Sequence, residues 1–202
     1  MQLKSLPVSF RTTTSLLFAF VILVFTTSCS NSLFKVKPVN ALPAMPASAA
    51  ATNVGSLSFR ASPLLTDEET QELFQSNLQL AGLLPVRLEV VHNGGEAIEM
   101  KRLKFHLQDA ANSDWKLISA KQAISRILKA NGVSLYNPSS RKTFEKDFRA
   151  YDFNLKDPLT HAEGKRQGMI IFQSAKKDPV LSPKNLTLTI DGLAQPVELK
   201  LN

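Results

Sequence analysis

Cysteine and histidine are scarce in this sequence, which contains one cysteine, Cys29, and three histidines among 202 residues. A single cysteine cannot form a disulfide within the chain, so a folded domain must be held together by its apolar core. No His-Glu-x-x-His motif and no paired cysteines occur, and no histidine has a second metal-binding residue at ligand spacing. We therefore predict no metal site and no cofactor.

Motifs for covalent catalysis and for phosphate binding are missing as well. The sequence has no Gly-x-Ser-x-Gly elbow, and Cys29 lies outside the expected domain. The pair Gly94-Gly95 follows a predicted strand but does not lead into a helix, as a phosphate-binding loop would. We predict no catalytic residues and expect that the chain is not an enzyme.

Acidic residues are absent before Asp67, and this accounts for most of the formal net charge of +7. Five basic residues precede Asp67, whereas residues 67–202 contain 19 basic and 17 acidic side chains. The small excess within the domain is too mild to indicate nucleic-acid binding. The basic isoelectric point is therefore mainly a feature of the N-terminal segment.

The N-terminal segment has the three parts of a secretory signal. Residues 1–10 are short and basic, and the apolar run Ser15–Phe25 is followed by small residues at 26–28. The run spans 11 residues, whereas a helix needs roughly 20 residues to cross a hydrocarbon layer of ~30 Å. We predict a cleavable signal peptide over residues 1–28 rather than a permanent transmembrane anchor.

Cys29 directly follows Thr26-Thr27-Ser28 and resembles the lipobox cysteine of bacterial lipoproteins. Ser28 fits the small residue of that motif, whereas Thr26 stands where the motif prefers leucine. The resemblance implies that Cys29 is acylated and that the lipid attaches the protein to a membrane. Ser30 follows, and the sorting habit of Gram-negative lipoproteins then favours the outer membrane, facing the periplasm or the outside. In the alternative interpretation, Cys29 is an incidental residue near an ordinary signal-peptidase site.

Residues 29–53 have three prolines and an alanine-rich stretch without apolar periodicity, which predicts a flexible tether. The globular domain is expected over residues 54–202. It opens with a weak alternating segment at 55–60, and Thr66 and Glu69 then form the signature of a capped helix.

Alternating apolar residues predict two strands at 86–90 and 103–107. Asn93-Gly94 stands between them, and Asn-Gly supplies the backbone conformation of a tight hairpin, so we expect the two strands to pair. Phe105 should face the core and Lys104 the solvent, because consecutive residues of a strand point to opposite faces.

A second hairpin is predicted from the alternation at 186–190 and 197–201, separated by Asp191-Gly192. Between the two hairpins, the continuous apolar run at 168–173 fits a central strand. Two helical insertions are expected, one capped by Ser119 and one after Pro138. The second contains the aromatic stripe Phe144, Phe148 and Tyr151, which we interpret as core or as a lid over one end of the fold.

This order of elements favours an antiparallel β-sandwich with two or three short helical insertions. The segments 84–93 and 104–109, and later 164–172, are similar to the strands and turns of immunoglobulin-like sandwiches in uncharacterised exported bacterial lipoproteins. The resemblance implies an immunoglobulin-like fold and a role in envelope binding or protection. It carries no catalytic residue.

Two basic clusters are candidate anion-binding sites: Lys101, Arg102 and Lys104, and the pair Lys165 and Arg166. An anionic partner such as lipopolysaccharide or the phospholipid surface would suit them. The alternative is a solvated face, because acidic residues occur nearby in the sequence.

These observations lead to two hypotheses about function. In the first, the chain is a non-catalytic cell-envelope lipoprotein whose sandwich domain binds another envelope component, a protein or an anionic lipid. In the second, it is a secreted or periplasmic hydrolase whose active-site residues are dispersed along the sequence. The second hypothesis requires a concave pocket with a perturbed carboxyl or histidine.

Overall fold

The described part of the chain forms a mainly β domain with three α-helices inserted between groups of strands. The computed structural model describes residues 34–133 and 138–202, so the predicted signal peptide and Cys29 lie outside the described residues. The strands are β1 (Ala50–Val54), β2 (Leu57–Pro63), β3 (Leu83–His92), β4 (Lys104–Gln108), β5 (Asp114–Ile118), β6 (Lys165–Gln173), β7 (Thr187–Asp191) and β8 (Val197–Lys200). The α-helices are α1 (Asp67–Phe74), α2 (Ala120–Ala130) and α3 (Pro138–Arg149), and short 3₁₀ helices span Val39–Ala41 and Met100–Arg102.

The eight strands form one antiparallel sheet in the order β1-β2-β3-β6-β5-β4-β7-β8. Strands β1 and β8 at its two ends lie against each other, so the sheet is nearly barrel-shaped. Strand β5 joins two halves, because Asp114 and Trp115 pair with β4 whereas Lys116–Ile118 pair with β6. The prediction of a mainly β, antiparallel fold is confirmed at this level.

The inner face of the sheet holds the larger apolar core. On β4, Phe105 and Leu107 are buried while Lys104 and His106 are exposed, which confirms the predicted alternation. The second predicted hairpin is also confirmed, with Leu188 of β7 opposite Leu199 of β8. Residues of β2, β3, β6, β7 and β8 complete the same core.

The three helices pack on the outer face of β3, β5 and β6 and form a second apolar core. Strand β6 therefore has the main core on one face and the helices on the other. Because both faces are buried, its sequence is a continuous apolar run. The aromatic stripe Phe144, Phe148 and Tyr151 belongs to this second core, and the ring centroids of Phe74 and Phe148 are 5.0 Å apart. The stripe is therefore core.

The two predicted helix caps, at Thr66 and Ser119, are confirmed by reciprocal capping hydrogen bonds. The amide of Glu69 donates to Thr66 Oγ1 at 3.2 Å, and the amide of Thr66 donates to Glu69 Oε2 at 3.0 Å. At the start of α2, Ser119 and Gln122 exchange the corresponding bonds. Each pair satisfies two backbone donors that the first turn of a helix leaves without partners.

The predicted hairpin at Asn93-Gly94 is wrong. Strand β3 pairs with β2 and β6, whereas β4 pairs with β5 and β7, so the two strands lie in different halves of the sheet. The amide of Asn93 donates instead to Ser56 O at 2.8 Å, in the turn between β1 and β2. The chain then crosses to β4 past a bridge between Ile98 and Leu159. The chain bends at residues 94–96, but this bend does not join two paired strands.

Residues 34–49, which we call the N-terminal strap, lie on the domain, and this differs from the flexible tether predicted over residues 29–53. Phe34 is buried, with its ring centroid 5.1 Å from that of Phe144. The hydroxyl of Tyr151 donates to Lys37 O at 2.7 Å. Arg87 Nη2 donates to Pro43 O at 2.6 Å. Because β1 begins at Ala50, the folded domain also starts earlier than the predicted residue 54.

Candidate functional site

An open cleft of about 750 Å³ lies between the start of α2, strands β5 and β6, and residues 152–157 after α3. Leu117, Ile118 and Met169 contribute to its apolar lining. Its polar lining includes two cations and two carboxyls, Arg149, Lys156, Asp152 and Asp157. A cleft of this volume with a few polar groups around an apolar lining is typical of small-molecule sites.

A close approach between residues 151–153 and β6 forms one wall of the cleft. The amide of Met169 donates to Tyr151 O at 2.6 Å, and the amide of Phe153 donates to Met169 O at 2.9 Å. A Cβ atom at Gly168 would lie 2.6 Å from Phe153 Cα, so this approach requires glycine. Strand β5 pairs with β6 only from Ile171 onward, which leaves room for the cleft between β5 and residues 152–157.

Asp152 is the cleft residue with a perturbed carboxyl group. Burial raises the pKa of Asp152 above its ordinary value, and the positive charges of Arg149 and Lys156 oppose that rise. The residue as a whole is exposed, so the burial that raises the pKa is partial. A carboxyl that keeps its proton at higher pH can donate a hydrogen bond to a ligand as well as accept one.

The hydroxyl and amide groups near the cleft have structural roles. Ser119 Oγ accepts from the amide of Gln122 at 3.4 Å and lies 3.1 Å from Gln122 Oε1. The carboxylate of Asp157 accepts from Asn154 Nδ2 at 2.8 Å. No histidine or cysteine is among the described residues that line the cleft. These side chains therefore do not pair a nucleophile with a histidine base.

The first predicted anion site, Lys101, Arg102 and Lys104, lies at and before the start of β4. Lys101 Nζ is 2.9 Å from Glu99 Oε2, and both side chains are exposed. Arg102 and Lys104 are exposed, and Lys104 is paired across the sheet with Asp191. Nearby acids thus accompany this cluster, as the solvated-face interpretation expects.

The second predicted anion site, Lys165 and Arg166, separates into two different environments. Lys165 Nζ lies 3.3 Å from Glu89 Oε2. Arg166 is 8% exposed and uses all five of its N–H donors on protein acceptors. An incoming anion would have to displace these bonds, so the structure gives Arg166 a structural role. Strand β5 separates β4 from β6, so the two basic clusters are not on neighbouring strands.

His92 and His161 each form a hydrogen bond with a nearby backbone carbonyl. His92 Nε2 is 3.0 Å from Glu96 O, and His161 Nδ1 is 3.2 Å from His92 O. The ring centroids of the two histidines are 6.0 Å apart. Within residues 34–133 and 138–202, no three His, Cys, Asp or Glu side chains are grouped as a metal site would require.

The cleft at Asp152 was not predicted from the sequence. Its residues come from β5, β6, α2 and the segment after α3, and their apolar members read as ordinary core positions. Gly168 is the one local sign, because an unexplained glycine inside an apolar strand indicates a close backbone approach.

Comparison with known proteins adds no relative to this description. None of the helices in the described part of the chain is long and apolar enough to cross a membrane. The chain matches no family model, no curated protein and no solved structure.

Proposed function

We propose that the chain is a non-catalytic cell-envelope lipoprotein, attached through an acylated Cys29 to the outer membrane, whose β-rich domain binds another envelope component. The observation that carries the binding role is the open cleft of about 750 Å³ beside Asp152. The signal-like N-terminus and the cysteine after it support the location.

The pairing order supports an immunoglobulin-like sandwich as the finer description of the fold. In that sandwich, strands A to G in chain order divide into sheets A-B-E-D and C-F-G. Here the pairing order of the single sheet contains the corresponding runs β2-β3-β6-β5 and β4-β7-β8, joined where β5 pairs with β4. Strand β1 is an addition before strand A, and β5 takes the place of strand D while its first residues pair with β4.

The lining of the cleft favours an amphipathic ligand. The apolar lining can cover a nonpolar part, and Arg149, Asp152, Lys156 and Asp157 offer both signs of charge to a polar part. Envelope lipids and their breakdown products have this chemistry, and a lipid-anchored protein is held close to them.

Native mass spectrometry of the full chain, purified from its own envelope in mild detergent, tests the proposal. Leu155 lines the cleft and is half-buried, so Leu155→Trp should fill the cleft. Leu193 is also half-buried against the main core but does not line the cleft, which makes Leu193→Trp a matched control. We expect a bound amphipathic molecule in the wild type and in Leu193→Trp, and its loss in Leu155→Trp.

Two results would overturn the proposal. In one, the purified wild-type chain contains no bound molecule and takes up none from an extract of envelope lipids. In the other, Leu155→Trp retains the molecule at the wild-type level while its circular dichroism spectrum is unchanged.

The raised pKa of Asp152 and its place at an open cleft support a hydrolase as the second candidate function, because a general acid must hold its proton before it donates it. This candidate predicts that the chain releases product from ester or glycoside substrates and that Asp152→Asn abolishes the release. The binding proposal predicts no turnover by either protein.

A further inference from the structure

Two exposed leucines mark a surface that the cleft does not include. Leu181 is 90% exposed and Leu80 is 45% exposed. Both line one groove of about 310 Å³, together with Leu65, Pro179 and Val180. Large apolar side chains that are exposed side by side indicate an interaction site more strongly than scattered ones do.

The loop around Leu181 is held in place by hydrogen bonds and burial. Val180 is buried, and its amide donates to Gln79 O at 2.9 Å. Arg126 Nη2 donates to Lys177 O at 2.8 Å, and Ser174 Oγ donates to Asp178 O at 3.2 Å. The exposure of Leu181 therefore follows from an ordered loop, and a partner would meet it with little ordering of the loop.

A second groove of about 320 Å³ lies on the other side of the same loop. Pro179, Val180 and Leu181 line both grooves, so Leu181 stands between them. Trp115 and Pro183 add apolar surface to the second groove. The result is an exposed apolar ridge with a groove on each side. This shape suits an extended peptide, which can lie in a groove, better than it suits a partner with a flat surface.

Acidic side chains surround this ridge in a protein that is basic as a whole. Asp67 and Glu68 line the first groove, and Asp109 and Asp178 line the second. Lys176 is the single cation among the described residues that line the two grooves; Lys177 and Lys184 belong to the same loop but line neither.

Two of these carboxyls are held in their charged form. A hydrogen bond from its own backbone amide is the main cause that lowers the pKa of Glu68, and the hydroxyl of Thr66 adds to it. Burial would raise the pKa of Asp109, but hydrogen bonds from Ser113, Trp115 and Ala111 outweigh it and lower the pKa. The ridge therefore carries negative charge at neutral pH, which complements a basic partner and repels an anionic lipid surface.

We infer that the surface formed by Leu80, Leu181 and the acids beside them binds an extended segment of a partner protein that presents an apolar side chain next to lysine or arginine. This goes beyond the proposed function, because the residues of this surface and those of the Asp152 cleft are different sets.

Site-specific photocrosslinking in living cells of the source organism tests the inference with the full chain. Benzoylphenylalanine replaces Leu181, or Lys104 as an exposed control position on β4. After illumination, the cross-linked peptide of the partner is sequenced by mass spectrometry. We expect an adduct at position 181 that is absent at position 104, joined to a partner peptide with lysine or arginine beside an apolar residue.

Charge removal gives the second readout. The double substitution Asp67→Asn and Glu68→Gln should lower the yield of the adduct at position 181 at least about threefold. The control Glu72→Gln changes a charge on the same helix but outside both grooves, and should leave the yield unchanged. The inference is overturned if position 181 gives no adduct, or if its adduct is to a lipid or to a second copy of this chain. It is also overturned if the partner peptide has no basic residue, or if the double substitution leaves the yield of the adduct unchanged.

Discussion

Arg166 and Glu163 form a two-pronged ion pair, in which Arg166 Nε donates to Glu163 Oε1 at 2.8 Å and Arg166 Nη2 donates to Glu163 Oε2 at 2.6 Å. The remaining N–H groups of Arg166 donate to Asn154 O, Asp157 O and Pro158 O at 2.6–2.9 Å. One buried guanidinium thus holds Asn154 and Asp157, which line the Asp152 cleft, and Pro158 directly after them.

Arg166→Lys should therefore destabilise the domain, although it preserves the charge. Lysine cannot reproduce the planar fork, so the part-buried carbonyls and the Glu163 carboxylate lose donors, and we expect a loss of roughly 2–4 kcal/mol in the free energy of unfolding. The neighbouring Lys165→Ala removes an exposed cation and should change the stability by at most about 1 kcal/mol. Urea unfolding of residues 34–202 measures both, and equal effects would argue against the structural role of Arg166.

Phe105 and Lys104 test the strand alternation on β4. Phe105 is buried in the main core, so Phe105→Ala should lower the free energy of unfolding by roughly 3–5 kcal/mol. Lys104 is exposed, and Lys104→Ala should change it by no more than about 0.5 kcal/mol. Similar losses for both variants in urea would contradict the strand assignment.

The N-terminal strap and β1 should contribute to the stability of the domain. A fragment that begins at residue 54 loses the burial of Phe34, the carbonyls that accept from Arg87 and Arg60, and the strand that covers β2. Each lost hydrogen bond is worth about 1 kcal/mol and the buried ring about 2–3 kcal/mol. We expect the fragment 54–202 to unfold at a clearly lower urea concentration than 34–202. Identical midpoints would restore the interpretation of residues 34–53 as a tether.

The contributions of Asp152 and Asp109 to the stability of the domain should depend on pH with opposite signs. The raised pKa of Asp152 means that the folded state binds its proton more tightly, so this residue's contribution to stability falls as the pH rises through that pKa. The stability of Asp152→Asn relative to the wild type should then increase from about pH 3 to about pH 7. The lowered pKa of Asp109 reverses the sign, because its contribution is present above the ordinary aspartate pKa and is lost as the pH falls.

Asp109→Asn should accordingly lose stability relative to the wild type as the pH rises over the same range. Urea unfolding at several pH values, with both variants and the wild type in one buffer series, measures the two slopes. Slopes of the same sign would show that the environment of at least one of these carboxyls is misassigned.

Local patterns predicted the local structure of this chain. The alternation around Phe105 and the capping pairs at Thr66 and Ser119 act over a few residues, and each is confirmed. The hairpin prediction at Asn93-Gly94 is wrong because the dipeptide favours a turn but does not determine which strands pair with each other. In this chain β3 is paired with β2 and β6 instead.

Features that depend on distant contacts were not predictable. The strap is fixed by the burial of Phe34 and by backbone carbonyls that accept from Arg87 and Arg60, and neither contact requires an apolar period in its sequence. The pKa of Asp152 depends on burial at a cleft built from four separate segments. The residues next to Asp152 in the sequence give no indication of this burial.

The proposal that this domain acts as a membrane-attached envelope protein depends most directly on Cys29. Cells that produce the full chain, as wild type or as Cys29→Ala, are labelled with an alkyne analogue of palmitate and separated into membrane and soluble fractions. We predict that the wild type is labelled and found with the membranes, and that Cys29→Ala is unlabelled and either leaves the membranes or stays unprocessed. Recovery of Cys29→Ala in the membranes at the wild-type level, with unchanged electrophoretic mobility, would contradict the account.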